Sequence, residues 1–169
     1  ALEYKLRALD MYREVYGKDA CHADIARALQ NIGVSYENMN EYVTAEEYYT
    51  QALTMYRKVY GEESNHASIA NELVSLAMIK RDLKMYEEER VFCLESLAKY
   101  RLMYGPGSNH SDIALVLALL GHNHRNLGDD EEAIVKCVES LLMYRAIDSD
   151  HERIPLIVNE LRLLGVDDV

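Results

Sequence analysis

An all-α fold, a solenoid of stacked helix–turn–helix units, is what this 169-residue sequence predicts, and three observations carry that expectation. The block ALDMYREVYG at residues 8–17 returns as ALTMYRKVYG at 52–61. It recurs in decayed form as SLAKYRLMYG at 96–105 and SLLMYRAIDS at 140–149, so successive blocks begin 44 residues apart. A fixed period in this range signals one supersecondary unit repeated along the chain, with a core that runs as a ribbon through the stack. Apolar residues make up 49% of the sequence, and only two prolines, Pro106 and Pro155, interrupt it. No β-type alternation occurs anywhere.

Eight helices are expected, at about 1–16, 23–39, 42–60, 67–83, 86–104, 111–127, 130–146 and 155–164. The first belongs to a preceding unit, because Ala1 aligns with Ala45 one period later. The second carries Ile25, Leu29, Ile32, Val34 and Tyr36, mostly at the three- and four-residue spacing of a helical stripe. The third begins near Tyr42 and places Ala45, Tyr48, Tyr49, Ala52, Leu53, Tyr56 and Tyr60 on its apolar side. The remaining helices repeat this pair. Gly17, Gly61 and Gly105 close the second helix of each unit, where a left-handed residue is wanted. The links KDACHAD, EESNHAS and PGSNHSD then offer Asp, Ser or Asn to cap the next helix. Glu46–Glu47, Glu87–Glu89 and Asp129–Glu132 fall in the first turns of second helices, where carboxylates interact favourably with the helix dipole. The expected organisation is one array: a second helix of a preceding repeat at 1–17, repeats at about 22–61, 66–105 and 110–149, and the first helix of a further repeat at 154–169. Both ends lie in mid-repeat, as in a fragment of a longer array, and its cut apolar ends offer a route to self-association.

Leu29, Ile32, Gly33, Tyr36, Ala45, Tyr49 and Ala52 resemble the tetratricopeptide repeat signature of large apolar, Leu, Gly, aromatic, Ala, aromatic, Ala. The third repeat keeps Leu117, Leu120, Gly121 and Ala133. The second departs from the signature, with Ala77 for Gly, Lys80 for the aromatic and Glu89 for the first Ala. The ordinary unit of that family has about 34 residues. Here the second helix runs on through MYRxVYG into a longer link containing His, which resembles the repeats of kinesin light chains and the C-terminal repeats of large signalling ATPases. HEAT and armadillo arrays share the period, and the Gly/Ala signature separates this chain from them. The resemblance implies a right-handed α-solenoid of antiparallel helices.

A formal net charge of −11 disfavours nucleic acid or an anionic membrane as the main partner, since both select for Lys and Arg. No apolar run reaches the roughly 18 residues of a membrane span, and no signal peptide is visible. The chain does not begin with Met, which leaves room for a removed N-terminal segment. Cys21, Cys93 and Cys137 show no CxxC pairing. Cys93 and Cys137 share a repeat position with Tyr49, as expected of a packed interior site in a reducing, cytoplasmic setting.

No catalytic, cofactor or metal site is expected. His22, His66 and His110 recur at the period, but stacked helices lie about 8–10 Å apart, whereas zinc ligands all lie about 2 Å from one ion. Capping or packing between repeats is the role assigned to them. His151 is displaced from the periodic site, where Ile154–Pro155 stands. The tyrosine ladder Tyr12, Tyr56, Tyr100 and Tyr144, with Tyr16, Tyr60 and Tyr104, is assigned to packing rather than to base stacking. The following Arg13, Arg57, Arg101 and Arg145 are assigned to surface or structural pairing.

The expected function is a non-enzymatic scaffold that binds a peptide segment of a protein partner. The resemblance places the first helices along a concave groove. Its lining comprises Arg27, Gln30, Asn31, Val34 and Glu37; then Asn71, Val74, Ser75, Met78 and Arg81; then Leu115, Ala118, Leu119, His122 and Arg125. Gln30–Asn31 approximates the paired Asn by which kinesin light chains present side-chain amides to a peptide backbone, while Val74–Ser75 and Ala118–Leu119 depart from it. Arg81 and Arg125 are repeat equivalents that either hold a ligand carboxylate or pair with an acid of the chain itself. The alternative function is a regulatory or self-associating region of a larger signalling protein of the nucleotide-binding, innate-immune-like kind.

Overall fold

The computed structural model describes residues 2–105 and 107–166. Ala1, the expected start of the first helix, Pro106 in the third link, and residues 167–169 at the expected end of the last repeat lie outside the described residues. The eight expected helices form: α1 Leu2–Tyr16, α2 Ala23–Glu37, α3 Tyr42–Tyr60, α4 Ala67–Asp82, α5 Tyr86–Tyr104, α6 Ser111–Asn126, α7 Asp130–Ile147 and α8 Ile154–Leu163. No strand occurs among the described residues. The chain is all-α, and its helices fall into two compact units, Ala1–Met85 and Tyr86–Val169, with the division inside the expected repeat 66–105.

In the first unit α3 packs against both α2 and α4, and α1 against α2. The buried side chains are those of the helical stripes: Ile25, Leu29 and Ile32 on α2, and Ala45, Tyr49, Ala52, Leu53 and Tyr56 on α3. Val34, expected on that stripe, is exposed. It lies two residues after Ile32, about 200° around the helix, so it points away from α3. Gly33 sets how closely α2 and α3 approach: a Cβ there would come within 2.8 Å of the Tyr49 ring. That ring cannot swing away, because Tyr49 is fully buried and its hydroxyl donates to Glu37 Oε2 at 2.5 Å. Lys80, which stands in the aromatic position of the second repeat, is buried and reaches Glu46 Oε1 at 2.8 Å.

In the second unit α6 packs against α5 and α7, and α7 against α8. Ala114, Cys137, Leu141, Tyr144, Ile157 and Leu161 form its core, so Cys137 occupies the interior site expected of it. Burial pushes its thiol up to about 12, which keeps it protonated and inert. Cys93 is also buried, whereas Cys21 is exposed. A Cβ at Gly121 would run into Cys137 Sγ and would stand 3.2 Å from the Ala133 carbonyl oxygen and 3.3 Å from the Cys137 nitrogen. Two of those neighbours are backbone, so the whole of α7 has to shift. Gly121→Ala is therefore expected to lower the unfolding free energy by about 2 kcal/mol, the overpacking cost exceeding alanine's helix preference of about 1 kcal/mol. Urea unfolding followed by circular dichroism checks this, and unchanged or increased stability would contradict the close approach.

The starts of α2, α4 and α6 correct one expectation. Their caps are not Asp, Ser or Asn but the periodic histidines. Nδ1 of His22, His66 and His110 accepts the backbone N–H of Asp24, Ser68 and Asp112 at 3.2, 3.2 and 3.3 Å. Imidazole serves here because each ring is held by stacking on the tyrosine that ends the preceding helix. The centroid separations are 3.7 Å for Tyr16–His22, 3.6 Å for Tyr60–His66 and 3.5 Å for Tyr104–His110. Each tyrosine stacks in turn on the one four residues earlier, at 6.2, 6.0 and 5.9 Å. The MYRxVYG block and the linked His thus form one three-ring column, joining a second helix to the first turn of the next unit. At the fourth junction Asp148 replaces the last tyrosine, and His151 leans on Tyr144 instead, tilted by 34°.

His110→Ala removes both the cap and the stack and is expected to cost about 1–2 kcal/mol. His110→Asn restores the capping acceptor alone and should recover about half of that. Equal stability of the two variants in urea unfolding would show that the stack, not the cap, carries the effect. α7 starts on a residue of the expected type, Asp129, whose Oδ1 accepts the Glu132 N–H at 3.3 Å.

The first helices stop one or two residues earlier than the periodicity predicts. After α2, Asn40 adopts φ +60° and the Glu41 N–H bonds back to the Tyr36 carbonyl at 2.9 Å. Lys84 and Gly128 take the same left-handed conformation at the equivalent sites, and the bonds Met85 to Lys80 and Asp129 to His124 close the same turn.

Candidate functional site

Most of the first-helix residues assigned to a groove are exposed or half-buried, and Val74 and Leu119 are the exceptions. On α2, Arg27, Asn31 and Val34 are exposed at three- and four-residue spacing, and Gln30 and Glu37 are half-buried. Two of these are engaged within the protein: Arg27 Nη2 donates to Asp24 Oδ1 at 2.6 Å, and Glu37 accepts the Tyr49 hydroxyl. Lys5 of α1 reaches the Asn31 carbonyl at 2.8 Å and Ser35 Oγ at 2.7 Å, which fixes α1 beside this part of α2. On α4, Asn71 is exposed and Ser75, Met78 and Arg81 are half-buried, but Val74 is buried. The Ser75 hydroxyl donates to the Asn71 carbonyl at 3.4 Å, and Arg81 donates to Asp82 at 3.4 Å.

On α6 of the second unit, Leu115, Ala118, His122 and Arg125 are half-buried and Leu119 is buried. Arg125 Nε donates to Glu160 Oε1 of α8 at 2.5 Å. Asn126 Nδ2 lies 2.9 Å from His122 Nδ1. Both arginines proposed as carboxylate holders thus have an acid of the chain beside them. The exposed side chains of this set are Arg27, Asn31 and Val34 on α2 and Asn71 on α4, with Gln30 and Met78 half-buried beside them.

The periodic histidines cap three separate helices. Among the described residues no group of three His, Cys, Asp or Glu side chains is placed to hold a metal ion, and no helix is long and apolar enough to cross a membrane. Two of the periodic arginines form ion pairs, Arg57 with Glu62 at 3.9 Å and Arg101 with Glu139 at 2.9 Å.

One concavity escapes the sequence pattern. In the first unit α1, the link after it and α3 enclose about 270 Å³, bordered by Arg13, Lys18, Asp19, Cys21, Gln51 and Lys58 and floored by Ile25 and Leu29. The signal in the sequence is Gln51, which stands where the next two repeats have Glu95 and Glu139.

Residues 1–58 match the family model described as tetratricopeptide repeat. Across 95% of the chain the fold superposes on the crystal structure of BtubC (BKLC) from P. vanneervenii with a TM-score of 0.77. The family match covers the first third of the chain, and the fold of the whole is that of a helical repeat array. The array spans 65% of the BtubC chain and shares 19% sequence identity with it, a level at which the likeness concerns the fold alone. No curated protein matches the sequence. Tetratricopeptide repeats generally mediate protein–protein interaction, and such arrays are typically scaffolds rather than enzymes.

Proposed function

We propose that the array is a non-enzymatic scaffold that binds a peptide segment of a partner protein on its first-helix faces. The observation that supports this most is on α2. Gln30 and Asn31 carry side-chain amides beside the exposed Val34, on the side of the helix turned away from α3. An amide offers a donor and an acceptor at once, the pair that an extended peptide backbone requires, and an apolar neighbour gives a partner side chain a place to bury. Asn71 and Met78 on α4 repeat that combination within the same unit, and Leu115 and His122 on α6 are the corresponding contacts in the second. Because Arg81 and Arg125 stand beside Asp82 and Glu160, specificity rests on amides and apolar anchors rather than on capture of a carboxylate. A cytoplasmic setting belongs to this reading, and nucleic acid and membrane do not.

Panning a displayed random-peptide library on the chain, then measuring the recovered peptides by fluorescence anisotropy, tests it. Asn31→Ala combined with Val34→Asp should weaken them at least about tenfold while leaving the circular dichroism spectrum intact. Binding that survives this pair together with Asn71→Ala rules out the face.

A second reading, a regulatory or self-associating region of a larger signalling protein, is supported by the exposed Leu142 and Ile147 on α7 and Leu156 and Leu163 on α8. Sedimentation that finds only monomers at high concentration would reject it.

A further inference from the structure

At the pocket between α1 and α3 the repeat pattern shifts towards positive charge: three changes add it, and one, Asp19 where the later repeat has Gly107, works against it. In the second unit Arg101 and Glu139 meet across the corresponding helices at 2.9 Å. Two periods earlier the same positions hold Arg13 and Gln51. Gln51 keeps the shape of the acid and drops its charge. Around it Lys18 stands where the later repeat has Pro106, and Lys58 where it has Ala146. Arg13, Lys18 and Lys58 therefore border one concavity, and among the described residues none of them forms an ion pair with an acid, although Asp19 lies at the same rim. In a chain of net charge −11 the usual outcome for a surface cation is an acidic neighbour, and most other arginines here have one.

Three cations with one acid at the same rim leave a net local positive potential, which an incoming anion relieves. Neutral groups suited to such a ligand are also present. Gln51 offers amide donors, and Thr50 and Thr54 line the wall. The floor is of the opposite character: the buried Ile25 and Leu29, with Met55 beside them. A free inorganic anion would satisfy the cations and leave that floor wet. A volume of about 270 Å³ seats one or two side chains, so an acidic residue followed by an apolar one matches both halves.

We propose that this pocket binds an anionic side chain, carboxylate or phosphate, carried by an extended peptide with an apolar residue next to it. The site is distinct from the first-helix face. Ile25 and Leu29 lie two residues from Arg27 and Asn31 and so point to the other side of α2. Loss of one site therefore leaves the other intact, and the two fail separately.

Titration of the ¹⁵N-labelled chain with three peptides tests it: acetyl-Leu-Glu-Leu-amide, its phosphoserine counterpart and its glutamine counterpart, each up to about 5 mM, with inorganic phosphate as a fourth ligand. The acidic peptides should shift the amides of residues 18–21 and 50–58, and the glutamine peptide should not. The tighter of the two acidic peptides assigns the anion. Gln51→Glu should rebuild the internal pair seen at Arg101 and weaken both about tenfold, with the spectrum otherwise unchanged. Lys18→Ala combined with Lys58→Ala should abolish the shifts, and Asn31→Ala should leave them as they are. Equal binding of the glutamine peptide, inorganic phosphate binding as tightly as the acidic peptides, undiminished binding by Gln51→Glu, or no shifts at these residues would each overturn the proposal.

Discussion

Glu72→Gln should make the chain about 3 kcal/mol more stable at pH 7 and leave it nearly unchanged at pH 4. Glu72 lies on α4 with no solvent exposure, and neither carboxyl oxygen has a hydrogen-bond partner. Its repeat equivalents, Ala28 and Val116, are buried and apolar, so the position belongs to the core and the carboxyl group is the exception. Burial disfavours the charged form and pushes the group from 4.5 up to about 9. In the folded chain Glu72 is therefore protonated at neutral pH, whereas in the unfolded chain it ionises above 4.5. Between those two values the native state binds more protons than the unfolded one, so stability falls as pH rises through the window. The loss is about 1.4 kcal/mol for each pH unit, which from 4.5 to 7 comes to about 3 kcal/mol. Glutamine has the same shape and never ionises. It removes that loss while keeping the desolvated polar group, and so isolates the ionisation term. The check is the difference in urea unfolding free energy between variant and parent at pH 4 and pH 7, in which other titrating groups cancel. A gain of equal size at both pH values would show that Glu72 is charged in the folded state or that its effect is steric.

The parts of the fold legible in the sequence are those written in local signals. A 44-residue period, apolar stripes at helical spacing and Gly17, Gly61 and Gly105 place every helix end to within two residues. What local patterns do not hold is the identity of contacts made across helices. The period marks His66 for capping or packing, but the sequence alone does not choose between it and the Ser and Asn beside it; the ring stacked on Tyr60 does. Lys80 and Glu89 look like decay of the second repeat, yet each meets a partner 34 residues away along the chain, Glu46 and Asn123. A second helix of one repeat and the first helix of the next lie side by side at that separation, so departures from the consensus come in matched pairs. The candidate face was only partly legible for a related reason. A helical wheel shows which side of α4 or α6 is apolar. It does not show which part of the other side neighbouring elements cover, and Val74 and Leu119 are buried there. Gln51 belongs to the same class of signal: it is conspicuous only once Arg101 and Glu139 are known to touch.

The matched pair in the second unit makes the strongest test of this principle, because it predicts that two damaging changes cancel. Asn123 is fully buried on α6, and its Nδ2 donates to Glu89 Oε2 at 2.8 Å and to the Tyr86 carbonyl at 2.7 Å. Glu89, equally buried, stands where the other repeats have Ala45 and Ala133. Asn123→Leu keeps the branching and volume of the side chain but takes away both donors, leaving a buried carboxyl group and a carbonyl short of a partner. The expected cost is about 3 kcal/mol. Glu89→Ala takes away one of the two acceptors of the Asn123 amide and opens a cavity, at about 2–3 kcal/mol. Combined, the two substitutions remove the polar pair from both sides and put an apolar residue beside the alanine that the repeat consensus prefers. The double variant should lie within about 1 kcal/mol of the parent, a coupling of several kcal/mol between the positions, since replacing a buried polar pair by apolar groups is often neutral. Urea unfolding of the four proteins gives the cycle directly. Additive losses in the double variant would mean that the two positions act independently and that their joint departure from the repeat is coincidence.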